Sequence, residues 1–188
     1  MTLRVLGIDP GLARTGVAVV EGRIGAMRLV FTGCLETLPQ TSAARRLSTL
    51  LDMMEMLVVE QRPDVAAVES LFFSNNRNTA LPVAQARGVI LCALGRAGVE
   101  VAEYAPNQVK EAVAGFGGAR KPQVAKMACT LLGVESIPGP DDAADACAVA
   151  ICHHHRARLG SPATPATRGG RLDAAVAAAQ ARLAGRTG

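Results

Sequence analysis

Apolar positions along the chain alternate between short continuous runs and stretches of three-and-four spacing. LRVLGID is an apolar run closing on Asp9, with Gly11 just beyond in a DPG turn, and TGVAVV and RIGAMRLV follow it. With Glu21-Gly22 as the turn between the latter two, the pattern predicts three opening strands with a hairpin. From Thr41 to about Glu60, Leu47, Leu50, Leu51, Met54, Leu57 and Val58 form a helical stripe that opens at Thr41 or Ser42 and stops before Pro63. Met53, Met54 and Met56 belong to this core face and its flank. VAAVE, ending on Glu69, has the continuous apolar character of a strand buried in a parallel sheet. A helix capped by Asn78 and running to about Gly95 comes next, with Pro82 placed near its first turn. VEVAEYA predicts another strand, Pro106 opens a helix, Gly115 to Gly118 form a loop, and further helices span Pro122 to Leu132 and Asp141 to Arg156.

Beyond Gly160 the pattern stops. SPATPATRGGR and the alanine-rich LDAAVAAAQARLAG carry helix propensity but few large apolar side chains. Residues 1–158 therefore read as the folded domain, and 159–188 as a flexible C-terminal tail that is helical at most in part. At 188 residues and 49% hydrophobic content the chain has room for one α/β domain with a sizeable core. Its five cysteines contain no CxxC pair and are odd in number, which argues against a zinc knuckle or a complete disulfide framework and favours a reducing cytoplasm. No apolar stretch has the length of a membrane span, and Arg4 and Asp9 interrupt any signal-peptide core.

Four acidic residues then change the picture. Asp9 and Glu69 end apolar strands, and Asp142 and Asp145, three apart, share one face of the last helix. Taken singly each has a plain structural explanation: Asp9 as a turn stabiliser, Glu69 as a solvated strand end, the pair as helix-start acids favoured by the macrodipole. Together they form a repulsive cluster of the kind relieved by divalent cations, typically Mg²⁺ or Mn²⁺. The net charge of +4 leaves the rest of the surface more basic than the total, which suits a polyanionic ligand.

The order and spacing of these segments resemble the RuvC family of Holliday-junction resolvases. LGIDPGLARTG is similar to the family's first motif and PDVAAVESLFF to its second; NTALPVAQARG, YAPNQVKEAVAGFGGARKPQV and DDAADACAVAICHHH match the rest in order. The resemblance implies an RNase H-like α/β fold, with a central five-stranded mixed β-sheet flanked by helices. It also implies a crossover junction endodeoxyribonuclease in which Asp9, Glu69, Asp142 and Asp145 are catalytic metal ligands and Asp141 is not. Two Mg²⁺ or Mn²⁺ ions per site, roughly 3.5–4 Å apart, and a water nucleophile are implied in turn, leaving 5′-phosphate and 3′-hydroxyl ends.

Lys121 matches a family lysine placed to counter charge on the scissile phosphate, and Lys110 matches another that would contact DNA. Phe72 takes the position of a junction-stacking aromatic, with Phe73 the core residue. Asn75 stands where the family often has a basic residue, so Asn76, Arg77 and Arg87 become the expected DNA contacts. Four-way junction DNA, a homodimer built on the helix from Asn78 to Gly95 through Leu81, Ala84, Val89, Leu91, Cys92 and Ala93, and coupling to the RuvA–RuvB branch-migration complex complete what the resemblance implies. His153, His154 and His155 point in different directions on a helix and are expected to be solvated at its end, not to bind metal. GFGGAR lacks the GxxxxGK[ST] of a P-loop. Two rivals share the RNase H-like topology: actin-like ATPases and sugar kinases, to whose phosphate loop IDPGLARTG is also similar, and the RuvX/YqgF-type nucleases acting on RNA. The first clasps a nucleotide between two such domains, and this chain has room for one; a non-catalytic module is disfavoured by the intact carboxylates.

Overall fold

The computed structural model describes residues 2–70 and 77–157; Phe72, Phe73, Asn75, Asn76 and the tail from 159 onward lie outside the described residues. Three strands open the chain, β1 (Leu3–Asp9), β2 (Arg14–Arg23) and β3 (Ala26–Glu36), followed by α1 (Ala43–Gln61) and β4 (Val65–Glu69). Then come α2 (Arg77–Arg96), β5 (Glu100–Tyr104), α3 (Pro106–Ala114), α4 (Lys121–Leu132) and α5 (Asp141–Arg156). One five-stranded sheet results, in the order β3-β2-β1-β4-β5. β1, β2 and β3 pair antiparallel, while β1, β4 and β5 run parallel. This is the expected mixed sheet.

Period-two alternation sorts the strand residues onto two layers. Leu6, Ile8, Val17, Val19, Ala66 and Val68 face a core closed by Leu50, Met54 and Leu57 of α1 and Ile90 and Leu94 of α2. Val5, Ala18, Val20, Val65 and Ala67 face the opposite core, closed by α3, α4 and the fully buried Ala146, Cys147, Ala150 and Ile151 of α5. Asp9 continues the register of Val5 and Gly7, and Glu69 that of Val65 and Ala67. Both carboxylates therefore belong to the face that α5 covers.

That helix lies unusually close to the sheet. A Cβ at Gly7 would stand 2.8 Å from Ala150 N and Cβ, with Ala146 O nearer still. One at Gly16 would stand 2.5 Å from the Asp142 carbonyl carbon, again with the oxygen nearer. Glycine at these two strand positions is what lets Asp142, Ala146 and Ala150, one ridge of the helix, rest on backbone.

The strand turn falls later than expected. β2 continues through Gly22, which pairs with Met27 at φ 138°, and the chain reverses at Ile24–Gly25, where Gly25 supplies a φ of 81°. Ser42 caps α1 by accepting a hydrogen bond from Arg45 N, and Arg62 ends it in the left-handed region at φ 47°. α2 is already helical at Arg77, so Asn78 is not its cap and Pro82 lies inside the helix. α4 starts at Lys121, one residue before the expected Pro122. No helix among the described residues is long and apolar enough to cross a membrane.

Candidate active site

At the carboxyl ends of β1 and β4, the start of α5 closes a cleft of about 220 Å³. Asp9, Glu69 and Asp145 line it together with Lys110 of α3 and Lys121 of α4, and Val109, Val124 and Ala148 form its apolar floor. Five of the sequence-expected residues thus meet in one place. Asp142 sits one turn earlier on α5, where its Oδ2 is buried 3.1 Å from Arg14 Nε on β2 but makes no hydrogen bond. Exposed Asp141 stays outside the site, as expected.

Crowded carboxylates in a partly dry cleft favour protons. The Asp9 carboxyl is pushed up to about 8, first by burial, then by the charge of Glu69, with Asp145 and Asp142 adding to it and Lys121 opposing. Burial and then Asp145 raise Glu69 as well, against a hydrogen bond shared with Asp9 and the two lysines. The Asp9–Glu69 pair accordingly behaves as one titrating unit that holds on to a proton. Lys121 Nζ lies 2.6 Å from Asp145 Oδ2, and this bond is the main reason its ammonium is strengthened. Lys121 remains 73% exposed along its side chain, free to turn toward a ligand in the cleft mouth.

This donor set fits a hard divalent cation: every candidate ligand is a carboxylate oxygen, the crowded carboxylates hold a proton that a cation would displace, and Asp142 Oδ2 is buried without a hydrogen-bond donor. No three His, Cys, Asp or Glu side chains among the described residues form a ready cage. Two cations stand at the carboxylates, Lys121 on Asp145 and Arg14 beside Asp142.

Other expected residues fall elsewhere. Arg87 is ion-paired with Glu103 of β5 and only 20% exposed along its side chain, so it ties α2 to the sheet edge. Arg77 opens α2. The histidines depart most from expectation: they are not solvated at the helix end. His153 and His154 are 8% and 5% exposed. His153 Nδ1 pairs with the Tyr104 hydroxyl at 2.9 Å, His154 Nε2 with Val20 O at 3.2 Å, and His155 Nδ1 with Ala112 O at 2.7 Å. Each ring ties α5 to a different element, and the three form no shared metal site. Arg14, absent from the expected residues, is the sequence's missed member; its place in ARTG, two residues before the glycine that pairs with Asp9, is the signal that could have found it.

Residues 5–153 match the family model described as "Crossover junction endodeoxyribonuclease RuvC". The chain belongs to the RuvC family. Among relatives, the crossover junction endodeoxyribonuclease RuvC of Roseiflexus sp. (strain RS-1) is 52% identical over 156 residues, covering 83% of this chain and 93% of that protein. Thermus thermophilus RuvC superposes with a TM-score of 0.77 at 39% identity, covering 85% of this chain and 97% of that one. The same protein in complex with a Holliday junction substrate gives a TM-score of 0.75 at 35% identity, covering 84% and 96%. The RNase H-like sheet and RuvC membership agree with the motif order read from the sequence, and they set aside the nucleotide-clasping and RuvX/YqgF alternatives.

Proposed function

We propose that this chain is a structure-selective endonuclease that resolves four-way DNA junctions by paired, metal-dependent phosphodiester hydrolysis in recombination and repair. The observation that carries this reading is the convergence of Asp9, Glu69 and Asp145 with Lys110 and Lys121 in one cleft of a RuvC-family domain. Asp9, Glu69, Asp142 and Asp145 would hold two Mg²⁺ or Mn²⁺ ions, whose chemistry when bound is polarisation of the phosphate and activation of water. No hydroxyl or thiol lines the described cleft, which favours water as the nucleophile. Lys121, freed from Asp145, balances charge developing on the phosphate, and Lys110 holds the incoming backbone. Phe72, Asn76, Arg77 and Arg87 remain proposed DNA contacts, Arg87 at the expense of its pair with Glu103.

Each chain offers one such cleft, so cutting two strands symmetrically calls for a homodimer. Leu81 at 66% exposure and the exposed Cys92 on α2 support an interface there, with Met56 and Val59 of α1 also exposed, whereas Ala93 is buried in the core and Ala84, Val89 and Leu91 are half-buried. A cytoplasmic setting and coupling to a RuvA–RuvB complex are part of the same proposal, supported by the resemblance to the family. The deciding experiment is cleavage of labelled four-way junction, linear duplex and single-stranded RNA with Mg²⁺ or Mn²⁺. Symmetric junction cuts with ligatable ends are expected; equal cutting of duplex, or cutting of RNA alone, refutes the reading.

A further inference from the structure

We infer that Phe116, on the loop between α3 and α4, is a nucleobase-stacking residue that holds a DNA strand against the mouth of the cleft. This rests on the junction-nuclease reading and adds a contact to it. Of the large apolar side chains exposed among the described residues, Phe116 is the only aromatic, and 51% of it is open to solvent. Phe31 and Tyr104 both pack against the core. An aromatic face left open to solvent at this position is available to a ligand that can cover it.

The ring is also held in place. Gly115 ends α3 with φ 83° and donates its N–H to Glu111 O at 2.9 Å. Four residues later Ala119, 1% exposed in the core, donates to Phe116 O at 3.3 Å. A Cβ at Gly118 would touch Phe116 Cδ2 at 3.8 Å, so the ring lies along bare glycine backbone. A four-residue turn anchored at both ends thus presents one aromatic face without side-chain neighbours from Gly117 or Gly118.

Its surroundings choose the ligand. The loop joins the helix carrying Lys110 to the helix that begins with Lys121, both of which line the acidic cleft, and exposed Arg120 adjoins it. An apolar protein partner would meet this ring of cations unfavourably, whereas a polyanion bearing π-faces satisfies both the charge and the aromatic. A nucleobase unpaired near the crossover has that chemistry.

The test uses the full chain and fluorescent four-way junctions. Phe116→Ala is expected to weaken binding about tenfold, within the range of base–aromatic stacking, with the melting temperature unchanged. Phe116→Trp should restore wild-type affinity and Phe116→Leu should not, since leucine is apolar without a π-face. The slope of log Kd against log salt should be the same in all variants, because no phosphate contact is altered. Wild-type affinity in Phe116→Ala, or in Phe116→Leu, overturns the stacking role while leaving the nuclease reading intact. A wild-type chain that neither binds nor cuts junctions overturns both.

Discussion

Replacing Gly16 by alanine places one methyl group between β2 and the first turn of α5. Its Cβ would lie 2.5 Å from the Asp142 carbonyl carbon and 3.1 Å from Asp142 Cβ, and the nearest atoms are backbone, which cannot rotate away. Because the Asp142 carbonyl oxygen is nearer still, restoring ordinary contact near 3.4 Å requires the helix start to rise by more than 1 Å. Overpacking of this kind costs about 1–3 kcal/mol, which for a domain of this size lowers Tm by roughly 2–12 °C. The larger effect falls on chemistry, because a displacement of about 1 Å at a catalytic group costs on the order of 100-fold in rate. Single-turnover cleavage of a four-way junction, alongside a melt and a binding isotherm, separates the two. Cleavage should fall on the order of 100-fold while binding stays within a few-fold, since phosphate contacts supply most of the affinity. A Gly16→Ala protein that melts and cuts like wild type would show that α5 does not rest on this strand.

The carboxylates supply an internal control: Asp9→Asn, Glu69→Gln, Asp142→Asn and Asp145→Asn should each lose most cleavage with junction binding retained, while Asp141→Asn stays near wild type in the same assay. Burial, and then the charge of His154, lowers His153 to about 4. Its folded pKa lies below the unfolded one, so stability is full above about 6.5 and declines as pH falls toward 4, by roughly 3 kcal/mol. Melts from pH 7.5 to 4.5 should show that decline, and His153→Gln should flatten part of it; an unchanged profile in the variant would assign the effect elsewhere. For the dimer, mixing active chains with excess Asp9→Asn chains should give singly nicked junctions on a gel, and unaltered paired cutting would contradict a shared two-site assembly.

The meeting of Asp9, Glu69 and Asp145 was legible in part because strand alternation is a local rule, with Asp9 and Glu69 following Gly7 and Ala67 by two residues; joining them to α5 took the family's motif order. The hairpin was misplaced because Glu21-Gly22 has turn chemistry, yet Gly22 lies in the ladder and Gly25 provides the reversal. The histidines were misread for a different reason. Polar rings near a helix end suggest solvent, and the Tyr104 hydroxyl and the carbonyls of Val20 and Ala112 that receive them are 43 or more residues away in sequence. Arg87 shows the same blind spot, since its partner Glu103 stands on a strand that sequence alone does not place beside it. Phe116 is not legible in the sequence, because exposure of an aromatic side chain is a tertiary fact.

Because α5 brings Asp142 and Asp145 to a strand that ends at Asp9, the candidate site joins the first and last described elements of the chain. A ribosome releasing this chain exposes β1 long before α5 leaves the exit tunnel. An N-terminal fragment that stops short of α5 has bare glycines at positions 7 and 16 and lacks Asp142 and Asp145. Such long-range closure slows folding. It also means that the activity proposed for this cleft waits on completion of the fold.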